Sequence, residues 1–325
     1  MRAVAVSASL LSPVCFFAWM VAMPGAPHKG PRPAMTAAEV ALEPRLRGHV
    51  EVLAGEIGPR NVVDLGGLRA AEAYIDGVWR GQGHEVLRQT FLAQHLEVSN
   101  LEIVLPGHRA PDEIVIIGAH YDTHIGSPGA DDNGSGVAAL LELGALLRRR
   151  APGRTVRLVA FVNEEYPFAR TDIMGSVVYA RRSRALGEDI VEMISLEMLG
   201  NYSDLPGSQT HRWYFEPFYS DRGDFIGIMG DLSSRGRVAR LVETFRGVSA
   251  FPCDGLAAPG WLAGTYRSDH WAFWLEGYPG VMITDTASFR TPDYHTASDT
   301  PDTLEYDQLA RLTAALADVI EALAR

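Results

Sequence analysis

Two hydrophobic periods alternate along this chain. Glu113-Ile114-Val115-Ile116-Ile117 is a β-branched, almost unbroken apolar run of strand length. Such a run suits a strand buried on both faces of a parallel sheet. Thr155–Val162, Ile190–Leu196 and Gly280–Asp285 read the same way. Glu85–Leu92 and Ser99–Leu105 alternate instead, as an edge pair of strands does. Elsewhere the period lengthens to that of a helix. Leu46, Val50, Leu53 and Ile57 space a helix over Leu42–Ile57, and Leu68, Ala71, Tyr74, Ile75 and Val78 space a second over Gly66–Gly83. Further helices are predicted over Val137–Arg149, Ser176–Arg184, Val238–Phe245, Ser268–Glu276 and Leu304–Leu323. Strands that alternate with helices predict an α/β fold of three layers, α/β/α, with a mixed, mostly parallel central sheet. Asn201–Asp231 breaks the pattern; it is long, aromatic and punctuated by Gly and Pro. It reads as an insertion, and with Ala250–Arg267 it is expected to wall a substrate pocket.

Composition narrows the class. The 325 residues are 47% hydrophobic and 21% charged, as in an ordinary globular enzyme. A net charge of −11 argues against nucleic acid as a partner. Of the two cysteines, Cys15 lies in an N-terminal segment and Cys253 stands alone, so neither a disulfide framework nor a thiolate zinc site is expected. Any metal must be held by His and carboxylate. Arg2 is followed by an uncharged stretch to Ala26, with Leu10, Leu11 and Val14–Val21 as its apolar heart. That pattern predicts a signal peptide or N-terminal anchor over 1–26, hence export and contact with a membrane only through such an anchor. No clean small-x-small cleavage site follows, and Met23 is an alternative first residue. A Pro/Gly linker is expected over 27–40 and one catalytic domain over 41–325.

The chemistry lies where strands are expected to end, as ligand sites do in open α/β sheets. The run Glu113–Ile117 leads to His120 and Asp122, then through a Gly/Pro loop to Asp131, Asp132 and Asn133. The strand Thr155–Val162 runs into Asn163-Glu164-Glu165, and Ile190–Leu196 ends on Glu197. His295 lies in the loop after the last strand. Hard oxygen ligands with one or two imidazoles suit zinc, or less specifically manganese or cobalt. Five ligands exceed what one open catalytic zinc takes, about three plus water, and they suit two zincs if one carboxylate bridges. Glu164 and Glu165 are neighbours past a strand end, so their side chains diverge: one can reach metal while the other faces water. Taken singly, Asp131 or Asp132 is as well explained as a helix cap. His120 alone would be a hydrogen-bonded loop residue, and Asp269-His270 is open between site and scaffold.

The motifs GAHYDT, GADDNGSG, FVNEE, ISLEMLG and YHTASDT, in this order, resemble the dizinc exopeptidase family of bacterial leucyl aminopeptidases and glutamate carboxypeptidase II. The resemblance covers roughly residues 45–325. It implies that His120, Asp132, Glu165, Glu197 and His295 bind two zinc ions, with Asp132 bridging and the partition of Glu165 left open. Glu164 matches the general base that deprotonates the attacking water, and Asp122 the acid that orients His120. Tyr294 matches a tyrosine that helps polarise the substrate carbonyl in some members. Glu197 departs from the family's usual aspartate by one methylene, which bears on metal affinity at that position.

The expected function is a zinc-dependent exopeptidase, an aminopeptidase acting on the N-terminal residues of peptides. A glutaminyl-cyclase-like transferase on the same fold, which works with one zinc, is the alternative. A non-enzymatic relative that has lost its ligands is a third reading, opposed by the complete ligand set.

Overall fold

The computed structural model describes residues 13–28, 30 and 32–325. The first part of the expected signal or anchor, Leu10 and Leu11 included, lies outside them. Eight strands form one sheet: β1 (Leu87–Ala93), β2 (Leu96–Leu105), β3 (Ala110–His120), β4 (Arg154–Phe161), β5 (Asp189–Glu197), β6 (Ile226–Gly230), β7 (Cys253–Ala257) and β8 (Val281–Thr284). The helices are α1 (Pro13–Val21), α2 (Ala37–Val50), α3 (Leu65–Gly81), α4 (Gly136–Leu147), α5 (Gly175–Leu186), α6 (Arg235–Val248), α7 (Gly260–Ala263), α8 (His270–Leu275) and α9 (Tyr306–Leu323).

The sheet order is β1-β2-β4-β3-β5-β8-β6-β7. The centre, β4-β3-β5-β8, is parallel, while β1-β2, β2-β4 and β6-β8 pair antiparallel. β3 sits in the middle and points alternate residues to opposite layers, as the period of a strand requires. Val115, Ile117 and Ala119 pack into the large core with α2, α3, α4, α6 and α9; Ile114 and Ile116 face a smaller core with α5 and α8. The sheet is therefore mixed, with helices on both sides.

β1 lies at the sheet edge, but β2 is internal, clamped between β1 and β4. Within Asn201–Asp231 the chain forms β6, and β7 follows in Cys253–Ala257. Periodicity hides both, because each is five residues long and interrupted by glycine. Those glycines make room: a Cβ on Gly255 would stand 2.8 Å from a Val242 methyl and 2.7 Å from Met23.

α1 packs against β7 at one edge of the sheet. Met20 is fully buried in a cluster with Phe215, Leu256 and Leu262. Arg235 and Arg246 donate to the carbonyls of Trp19, Ala22 and Pro24 behind it. Among the described residues no helix is long and apolar enough to cross a membrane.

Candidate metal centre

Parallel strands deliver the site side chains to one edge of the sheet. His120 is the last residue of β3 and Glu197 the last of β5. Glu164 and Glu165 follow β4, and His295 lies in the loop beyond β8. Asp132 sits in the turn that enters α4, where the Asp132–Asn133 peptide is cis. Asn163 (φ 63°), Met198 (φ 49°) and His295 (φ 62°) adopt left-handed backbone although none is glycine. Such positions cost on the order of 1 kcal/mol each and persist where the surroundings over-determine them. Here each is a site residue or its immediate neighbour.

Two triads result, and they share Asp132. His120 Nε2 lies 3.4 Å from Asp132 Oδ1 and 3.4 Å from Glu197 Oε2. His295 Nε2 lies 3.1 Å from Asp132 Oδ2 and 3.1 Å from Glu165 Oε1. One oxygen of Asp132 thus faces each triad. Within each triad the ligand atoms lie within 4.8 Å of one another. The structure also assigns Glu165 to the His295 side, a partition that sequence left open.

Hydrogen bonds fix this arrangement from behind. His120 Nδ1 donates to the main-chain carbonyl of Asp122 at 3.0 Å, which turns Nε2 towards the triad. The Asp122 carboxylate stands 3.7 Å from the same ring and instead accepts the N–H groups of Glu164 at 3.1 Å and Glu165 at 3.0 Å. Asp122 therefore orients both neighbouring glutamates as well as the imidazole. Asp299 takes the N–H of Asp131 at 2.7 Å and of Asp132 at 3.1 Å. Asn133 and Ser135 tie the same turn to the exit of β5, accepting from Met198 and Leu199. Asp131 accepts from Gly200 at 2.8 Å, so it braces the loop instead of facing the triads. Ser268 donates to Glu197 Oε2 at 2.7 Å. The His295 ring stacks on Tyr294 at 3.8 Å and on His124 at 4.1 Å.

The charge balance calls for a cation. Burial raises Glu165 to about 7, with Asp132 adding to the rise and His295 opposing it. Burial, then Glu197, Glu165 and Asp269, raise Glu164 well above the usual carboxylate range against the pull of His120. Burial alone would lower His295, but Asp132 and Glu165 lift it to about 10. Carboxylates crowded out of water in this way are stabilised by metal. Among the described residues, His120 Nε2, Asp132 Oδ1 and Glu165 Oε1 are buried without a hydrogen-bond partner. These are ligand atoms of the two triads, and imidazole with carboxylate is a donor set that zinc accepts. The residues fit the metal.

Several supporting residues escaped sequence reading. His124 continues the pattern His120-x-Asp122-x-His124, which was its available signal. Asp299 lies four residues past His295. Arg60 has no sequence signal. Its buried guanidinium donates to the carbonyls of Tyr121, Leu53, Gly58, Pro128 and Gly129, which shapes the loop leading to Asp132. Asp269 and His270 are both buried. His270 Nε2 lies 2.6 Å from the Thr265 carbonyl and serves the scaffold.

An open α/β sheet carrying two carboxylate–imidazole triads at its carboxyl edge, with a spare glutamate beside them, belongs to the metal-dependent hydrolases. Comparison with known proteins makes this specific. A model described as peptidase family M28 matches residues 100–320, and the chain belongs to that family. Over 314 residues it is 34% identical to the protein YfbL of Escherichia coli K12, covering 93% of this chain and 92% of that one. An aminopeptidase of Pseudomonas aeruginosa is 26% identical over 187 residues, 56% of this chain but only 30% of that protein's length. The fold is similar to that of BSAP, a zinc aminopeptidase from Bacillus subtilis, with a TM-score of 0.68 at 14% identity over 87% of this chain and 95% of that one. It is also similar to a glutaminyl cyclase of Tannerella forsythia, with a TM-score of 0.64 at 19% identity over 86% and 98%. The likeness to these two solved structures shows the fold alone. The family makes this chain a zinc metallopeptidase.

Proposed function

We propose that this chain is a two-zinc exopeptidase of the aminopeptidase kind, removing N-terminal residues from peptides. The sharing of Asp132 between two complete triads carries the proposal: its two oxygens face opposite imidazoles at 3.4 and 3.1 Å. His120, Asp132 and Glu197 would hold one zinc, and Asp132, Glu165 and His295 the other. When bound, such a pair polarises a scissile carbonyl and brings the pKa of water down towards ~7. Glu164 takes the proton of the attacking water and passes it to the leaving amine. Asp122 fixes the Glu164 main chain through the N–H that it accepts. The stacked His124 and Tyr294 rings hold the His295 imidazole in place.

A cyclase-like reading needs only one zinc. The second triad argues for hydrolysis, because nothing in a one-metal site calls for Asp132 to be shared. Export is inferred as well, supported by the uncharged stretch between Arg2 and Ala26. The N-terminal mass of the protein recovered outside the cytoplasm tests it.

Elemental analysis of wild type and Glu164→Gln, beside release of aminoacyl-anilides, tests the main reading. Two zincs per chain in both proteins are expected, with turnover at least about a thousandfold lower in the variant. One zinc without hydrolysis would move the assignment to the cyclase class.

A further inference from the structure

Beside Glu197 and Tyr294 a cavity of about 230 Å³ opens, with room for a large amino-acid side chain. Its walls are apolar where Met229, Met282 and Phe289 meet. Its rim carries two arginines from separate segments: Arg212 from the stretch between β5 and β6, and Arg267 from the turn between α7 and α8. Both are exposed. Among the described residues neither guanidinium makes an ion pair or hydrogen bond, whereas Arg45 and Arg157 each hold a glutamate at 2.9 Å. The Arg267 stem lies along the backbone of Gly264, whose own Cβ would stand 3.5 Å from it. Arg212 also lines a neighbouring cavity, and the acid there, Asp254, is taken by Arg246 at 3.2 Å. Two unpaired guanidiniums thus line the same cavity as the site residue Glu197, in a chain of net charge −11.

We propose that this cavity is a carboxylate-reading subsite, in which Arg212 and Arg267 select peptides bearing a free carboxylate on or next to the residue that is removed. The inference rests on the exopeptidase reading and names its substrate class. Guanidinium forks match carboxylates geometrically, and the bonds are charge-assisted. The carboxylate has two possible sources. One is the side chain of an N-terminal Glu or Asp, reached through the apolar walls. The other is the terminal carboxylate of a dipeptide.

Isosteric pairs separate the sources. On the zinc-loaded full chain, kcat/KM is compared for glutamyl- and glutaminyl-anilide, and for Leu-Gly and Leu-glycinamide. The same chemistry is read without turnover by calorimetry on Glu164→Gln, using L-glutamate against L-glutamine and the same two dipeptide forms. The charged member of one pair is expected to be favoured by about tenfold or more. The ratio should fall to near one in Arg212→Gln/Arg267→Gln and shrink with added salt. Preference in the first pair assigns the side chain, and preference in the second the terminal carboxylate. Ratios near one in both pairs, or a preference that survives the double substitution, overturn the subsite. Absence of all hydrolysis, neutral substrates included, would sink the exopeptidase reading instead, and the calorimetric ratios would still decide the subsite.

Discussion

Among the ligands, Glu197 is the one that departs from the family's pattern. The resemblance expected a shorter aspartate there, and the structure shows how the extra methylene is accommodated. Ser268 holds Oε2 at 2.7 Å, so the carboxylate stands 3.4 Å from His120 Nε2. Glu197→Asp would pull that oxygen back from both partners. It should weaken zinc binding in the His120 triad by about ten- to a hundredfold, measured by competition with a chromophoric chelator, while the His295 triad keeps its metal. A second residue carries a pH signature. Burial depresses His270 to about 4, against an ordinary value of 6.5. The unfolded chain therefore takes up a proton between those values and the folded chain does not. Stability is undiminished above pH 6.5 and is lost as pH falls towards 4, by roughly 3 kcal/mol in all. Urea melts across this range should show the loss, and His270→Gln should flatten it.

Among the elements, the loop entering α4 depends most on a distant residue. Arg60 is fully buried, and its guanidinium answers the Pro128 and Gly129 carbonyls that lead into the turn presenting Asp132. Arg60→Met leaves those carbonyls without a donor. It should cost about 3–5 kcal/mol in chemical denaturation and lower zinc occupancy in parallel. A stability loss with full occupancy would confine Arg60 to the scaffold. The strands show why some elements were legible and others not. β3, β4, β5 and β8 are buried on both faces, so selection for apolar residues wrote them as continuous runs. β6 and β7 reach the same sheet through glycines that let α6 and the N-terminal segment approach, and a glycine leaves no hydrophobic mark. The site followed the same rule. Ligands at the ends of legible strands were readable, whereas Arg60, Asp299 and His124 act through loops whose partners are set only in three dimensions.

At the scale of the molecule, the triads join four central strands. Metal that binds this arrangement and not the unfolded chain stabilises the fold by mass action. Zinc at a thousandfold excess over its Kd should add about 4 kcal/mol, roughly 6 °C of Tm, which calorimetry with and without a chelator measures. An unchanged Tm would mean that the triads do not act as a metal clasp. The order of the ligands along the chain has a further consequence, in time. His120, Asp132 and Glu197 have all been synthesised once residue 197 is made, but the partner triad waits for His295. The two ligand sets are therefore completed in sequence along the chain. A chain cut short before residue 295 carries every ligand for one metal but lacks His295 and Asp299, so it has no means of completing the pair.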